Sequence, residues 1–156
     1  MSGAGAPVID VDGHGLTVEI VASLWHTEIM DGLVNGAVAA AEKAGAAYRV
    51  TRVAGAFELT VVAEHLARQG ADAVVALGVV VQGETPHFEY VCSSVTNGLT
   101  EVARQHAVPV GFGVLTVDTV DQALSRAGLP GSKEDKGAES VEAALATALT
   151  LRDLAS

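Results

Sequence analysis

The run Ala73-Val74-Val75-Ala76-Leu77-Gly78-Val79-Val80-Val81 contains no polar side chain. A strand with one wet face alternates apolar and polar residues. An unbroken, valine-rich run instead belongs to a strand covered on both faces, as in a parallel sheet between layers of helix. The run ends in Gln82-Gly83-Glu84-Thr85-Pro86-His87, a turn that opens a helix. Proline costs little there, because its missing N–H had no helical partner. Ligands of α/β proteins bind at the carboxyl ends of such strands, where the next helix presents backbone N–H groups and the positive end of its dipole. Gly83 lets the backbone approach a ligand closely, and His87 falls in the first helical turn. The junction suits chemistry on an anion.

The alternation of strand and helix runs through the chain. Leu16 to Ser23 reads as a strand, and Thr27 to Ala44 carries Ile29, Met30, Leu33, Val34, Ala37, Val38 and Ala41 at helical spacing before stopping at Gly45. Tyr48 to Val53 leads to a helix from Phe57 to Gln69 closed by Gly70. Ala73 to Val81 leads to a helix from His87 to His106, and Val108 to Thr116 is the last strand. Phe88, Val91, Cys92, Val95, Leu99 and Val102 form one helical face, which assigns Cys92 to the core rather than to nucleophilic chemistry. Thr119 and Gln122 have the spacing of a capping box for a short helix ending near Gly128. A polar break from Leu129 to Asp135 precedes a last helix with Val141, Leu145 and Leu149 recurring along it. Parallel strands joined by helices make an α/β three-layer sandwich. No linker divides the 156 residues, so 1–156 reads as one domain with 1–13 an extended N-terminal arm.

Composition excludes several function classes. The net charge of −10, from 19 acidic and 9 basic residues, argues against a nucleic-acid or anionic-membrane surface, both of which need clustered Lys and Arg. An anionic substrate must then be met by local positive groups. A single cysteine fits a reduced, cytoplasmic setting, the N-terminus has no signal-peptide pattern, and no apolar segment is long enough to span a bilayer.

Five local motifs, in order, are Gly55-Ala56-Phe57-Glu58-Leu59, the Gly78 to Tyr90 stretch, Phe112-Gly113-Val114-Leu115-Thr116, Arg126-Ala127-Gly128 and Lys136-Gly137. Their order and spacing resemble the 6,7-dimethyl-8-ribityllumazine synthases of riboflavin biosynthesis, over nearly the whole chain. The resemblance implies a flavodoxin-like fold with a four-stranded parallel sheet. It also implies a homo-oligomer, a pentamer with active sites between neighbouring subunits, and a functional association with riboflavin synthase. The implied reaction condenses 5-amino-6-(D-ribitylamino)uracil with 3,4-dihydroxy-2-butanone 4-phosphate, without a metal or organic cofactor.

Roles pass to individual residues by the same resemblance. His87 matches the proton-transfer histidine, a residue type whose ordinary pKa of about 6.5 lets it accept and donate protons near neutrality. Gly83, Glu84, Thr85 and Arg126 match the phosphate site, where backbone amides and a planar guanidinium are suitable donors. Trp25 matches the aromatic residue stacked on the pyrimidine. Ala56, Phe57 and Glu58 match groups that hold the pyrimidine edge and ribityl chain, Val79, Val80 and Val81 line the pocket, and Lys136 lies near the pyrimidine. Phe112 is expected from the adjacent subunit. Ordinary structural readings stand beside these: a helix-capping His87, a solvated Arg126 in a last helical turn, a core Trp25, a Glu58 that favours a helix dipole, and a surface Lys136. Gln82 departs from a basic residue common at its position.

Two other classes share the scaffold. A flavodoxin-like electron carrier needs a Ser/Thr-rich phosphate loop after its first strand, which Ser23-Leu24-Trp25-His26 does not supply. A non-catalytic flavin- or lumazine-binding assembly protein differs from an enzyme only in activity. Among lumazine synthases a short glycine-containing link between the last two helices accompanies closed icosahedral shells. Here Gly128 to Gly137 is longer and carries Pro130, which leads to the expectation of a stand-alone pentamer.

Overall fold

A computed structural model describes residues 4–156, and the first three residues of the expected N-terminal arm lie outside them. Strands β1 (Thr17–Ser23), β2 (Ala47–Val53), β3 (Ala73–Val81) and β4 (Val110–Val117) pair in parallel in the order β2-β1-β3-β4. Helices α1 (Thr27–Ala44) and α5 (Lys136–Ala155) pack together against one apolar cluster. Helices α2 (Leu59–Arg68) and α3 (His87–His106) pack against another. The two clusters divide β3 between them, Val75, Leu77 and Val79 facing one and Val74 and Ala76 the other. A strand buried on both faces is what its unbroken apolar run predicts. The five-residue helix α4 (Val120–Leu124) follows β4.

Strand order creates the place for a site. The chain steps from β1 outward to β2, then back across to β3 and on to β4. Connections therefore leave β1 and β3 in opposite directions, and the crevice beyond their carboxyl ends is the switch point where α/β sheets bind ligands. Gly78 lets the covering layer come close: a Cβ there would lie 3.1 Å from Leu59 Cδ1 and 3.4 Å from Ser23 Oγ.

Several boundaries differ from the sequence reading. Residues Ala56–Glu58 form a 3-10 turn before α2 rather than its first α-turn, the tighter winding common at helix starts. β4 begins at Val110 because Ala107 has φ 50° and Pro109 has no N–H to give, although the Pro109 carbonyl accepts from Val74. In α3 only Val95, Leu99 and Val102 are buried, and Cys92 is half-buried. Burial still pushes the Cys92 thiol up, which disfavours the thiolate. α4 stops at Leu124, with Ser125 and Arg126 continuing as turns. Its capping pair forms as expected on one side, Thr119 Oγ1 accepting from Gln122 N–H at 3.2 Å, while the Gln122 side chain accepts from Asp118 N–H instead of closing on Thr119.

The link before α5 is an ordered fold-back. Ala127 and Asp135 form an antiparallel bridge, Lys136 N–H donates to Arg126 C=O at 3.0 Å, and Gly128 N–H donates to Glu134 C=O at 3.0 Å. Ser132 donates its hydroxyl to Leu124 C=O. The stretch predicted as a polar break thereby brings Arg126 and Lys136 side by side.

Candidate active site

Most of the residues singled out in the sequence line a cavity of about 390 Å³ beyond the carboxyl ends of β1 and β3: Trp25, Ala56, Phe57, Glu58, Val79, Val80, Val81, Gly83, Thr85 and His87. Trp25 is 67% exposed, so it is no core tryptophan. Its indole and the Glu58 carboxylate meet over Gly55, where an added Cβ would lie 3.3 Å from Trp25 Nε1 and 3.5 Å from Glu58 Oε1. A flat, polarizable face beside a carboxylate acceptor suits a heteroaromatic ring with N–H groups.

His87 lines the cavity at the head of α3. The Thr85 hydroxyl oxygen accepts from the His87 backbone N–H at 3.4 Å, and Pro86 C=O accepts from Glu89 N–H at 3.0 Å. The turn is thus capped without using the imidazole, which is open to the cavity. Gly83 would meet nothing within 4 Å if it carried a Cβ, so its backbone is accessible to a ligand. Glu84 is exposed and is not among the lining residues.

His26, Phe88 and Val91 also line this cavity. The sequence names His26 only as the neighbour of Trp25 after the first strand, and it puts Phe88 and Val91 on one apolar helical face. His26 occupies left-handed backbone space, φ 61° and ψ 68°, at the start of α1. That region is several-fold enriched in His among non-glycine residues and clusters at functional sites. Its position immediately after Trp25 is the only signal in the sequence. Phe88 and Val91 follow helical periodicity, but they fall in the first two turns of α3, where their apolar face meets the cavity.

Arg126, Lys136 and Phe112 are not in that cavity. They line a second one, of about 480 Å³, bounded by β4 and α5. Arg126 Nη1 donates to Gln122 C=O at 2.8 Å. Lys136 Nζ donates to Glu139 Oε2 at 2.7 Å and lies 3.4 Å from Glu134 Oε2. The Glu139 hydrogen bond, with both carboxylates nearby, holds the Lys136 ammonium above the ordinary lysine range against the opposing effect of burial, so it is charged at neutral pH. The first cavity holds no Lys or Arg. Within one chain, the imidazoles and the indole are therefore separated from Arg126 and Lys136.

Among the described residues, no group of three or more His, Cys, Asp and Glu is arranged to hold a metal ion, and no helix is long and apolar enough to cross a membrane.

Residues 15–152 match the family model described as 6,7-dimethyl-8-ribityllumazine synthase. Relatives carrying that name include one from Kineococcus radiotolerans, 62% identical over 99% of this chain and 97% of its own length. Another, from Micrococcus luteus, is 61% identical over 97% and 98%. A third, from Streptomyces coelicolor, is 57% identical over 99% and 97%. Their naming as synthases favours the catalytic reading over a non-catalytic binding protein. With its motifs, parallel sheet and full length all in agreement, the chain belongs to the 6,7-dimethyl-8-ribityllumazine synthase family.

Proposed function

We propose that this chain condenses 5-amino-6-(D-ribitylamino)uracil with 3,4-dihydroxy-2-butanone 4-phosphate, giving 6,7-dimethyl-8-ribityllumazine, phosphate and two molecules of water in the penultimate step of riboflavin biosynthesis. The observation that carries the assignment to residues is the division of labour between the cavities. One has an indole, imidazoles and a carboxylate, and the other has the cations. A substrate pair made of a pyrimidine and a phosphate ester needs both sets. The complete site then forms where the first cavity of one copy meets the second cavity of its neighbour in a pentamer, without further assembly into shells.

In that site Trp25 stacks on the pyrimidine. Glu58 and the backbone of Ala56 and Phe57 hold its edge and the ribityl chain, with Val79, Val80 and Val81 as the apolar wall. Gly83, Glu84 and Thr85 present backbone amides to the phosphate, and the Glu84 side chain stays in solvent. The neighbour's Arg126, Lys136 and Phe112 close the site. The 5-amino group adds to the ketone and loses water to form an imine. A proton leaves the adjacent carbon as phosphate departs, and the ribitylamine nitrogen closes the second ring with loss of the second water. His87 carries protons in these steps, and Arg126 neutralises charge on the leaving phosphate. The chain acts as one domain in the cytoplasm, and its product is the substrate on which an association with riboflavin synthase would be built.

Complementation between subunits tests this arrangement. His87→Ala and Arg126→Ala disable different cavities, so mixed oligomers contain some sites with both residues intact. Activity, followed by the lumazine chromophore and released phosphate, should exceed the sum of the separate variants after the two are unfolded and reassembled together. A strictly additive result would place both residues in one chain's site.

A further inference from the structure

Beside Arg126 and Lys136, which line the second cavity, lies a carboxylate that the reaction as described does not use. The Glu134 side chain is 14% exposed, and its Oε2 lies 3.4 Å from Lys136 Nζ and 3.9 Å from Arg126 Nε. That oxygen is buried without an aligned hydrogen bond among the described residues. A buried, unsatisfied carboxylate is costly unless nearby charge compensates it, and here two cations do so. Backbone pairing fixes the arrangement: Glu134 N–H donates to Ser125 C=O at 3.0 Å, and its own carbonyl accepts from Gly128. Glu134 is therefore held across from Arg126 by main chain rather than by the ion pairs themselves.

We propose that Glu134 is a positioning residue that orients the Arg126 guanidinium for phosphate. The inference rests on the assignment of Arg126 to the phosphate site. Glu134 faces Nε and the Gln122 carbonyl takes one Nη1 N–H, which leaves the two N–H groups of Nη2 and the second of Nη1 for an incoming anion. Lys136 has a second and closer tether in Glu139, so loss of the Glu134 charge falls mainly on Arg126. Glu134 does not line either cavity and acts through its neighbour.

The test is a double-substitution cycle on the assembled enzyme, reading KM for each substrate and kcat. Glu134→Gln keeps the volume and removes the charge. It should raise KM for the butanone phosphate about fivefold, the upper range for a partly exposed ion pair, while KM for the pyrimidine and kcat change less. Glu134→Asp should restore part of the loss. In an Arg126→Ala background, Glu134→Gln should produce no further rise, since there is no guanidinium left to orient. If Arg126→Ala itself leaves the phosphate KM unchanged, the phosphate-site assignment fails. The positioning role alone fails if Arg126→Ala raises that KM while Glu134→Gln leaves it unchanged or lowers it, the latter marking Glu134 as a competing anion. An equal rise in both backgrounds would also overturn it, as would weakening of both substrates together with loss of assembly.

Discussion

The structural reading of His87 makes it no more than a cap for its own helix. Here Thr85 and Pro86 take that part and leave the imidazole to the cavity. His87→Ala should thus lower turnover with fold and assembly intact, by about 10²- to 10⁴-fold at most. The reactivity of the substrates toward each other reduces the observed loss. Single-turnover rates together with circular dichroism check it. Arg126→Ala should instead weaken the butanone phosphate selectively, by about 1.5–3 kcal/mol for a charge-assisted hydrogen bond, as calorimetric titration of each substrate separately would read. Trp25 is the sole tryptophan, so saturation with a pyrimidine analogue should change its emission, and Trp25→Ala should cost that analogue roughly 1–3 kcal/mol. Unchanged emission and affinity would remove stacking. The cavity residues around His87 were legible because turn chemistry and strand ends are local signals. The separation of Arg126 and Lys136 from them was not, because motif order along a chain does not say which edge of a sheet each motif reaches. The left-handed backbone of His26 was not legible either, because a positive φ leaves no mark in residue identity beyond a mild preference.

Elements were legible where periodicity was long. α1 and α3 have the spans their apolar spacing predicts, and β3 runs from Ala73 to Val81 as its composition requires. Boundaries failed where backbone rather than side-chain pattern decides, as at the 3-10 turn Ala56–Glu58 and the fold-back between α4 and α5. That fold-back also changes how the link should be viewed. Glu134 lies beside Lys136 and Asp135 caps α5 by accepting from Ala138 N–H, so of its charged residues only Lys133 is left exposed as a solvated spacer would be. The seam between α1 and α5 depends on a small residue, because a Cβ on Gly137 would strike the Leu33 carbonyl oxygen, and α1 meets the fold-back as closely, because one on Gly32 would strike the Ala127 carbonyl oxygen. Backbone cannot yield as a side chain can. Gly137→Ala should destabilise the fold by about 1–3 kcal/mol, the range for overpacking, despite alanine's better helix propensity. Urea unfolding would measure it, and an unchanged midpoint with unchanged slope would show that the helices can separate freely.

At the scale of the whole molecule, charge and exposed apolar groups point in different directions. The chain carries a net −10, yet Phe57, Val61, Tyr90, Phe112 and Val120 are exposed large hydrophobic residues. Association would bury such groups, while accumulated like charge limits further growth. A dominant pentamer is therefore expected by mass photometry at micromolar protein, with higher salt favouring any larger species. A closed shell at low salt would show that neither charge nor the length of the Gly128–Gly137 link sets assembly size. The α/β class was legible because its signals repeat in every strand and helix. The sheet order β2-β1-β3-β4 was not read from periodicity, since no single strand encodes its neighbour.

The glycine at the head of α5 has a consequence for mutational scans. Gly137 follows Lys136 directly, and the wall of the second cavity continues along the same helix through Glu139 and Ser140. A helix pushed outward to make room for one methyl group carries that wall with it. In a screen scored only by product formed, position 137 would rank with the reacting groups although it has no side chain to offer a substrate. Activity and stability must be recorded as separate columns for such a screen to distinguish a residue that does chemistry from one that holds the chemistry in place.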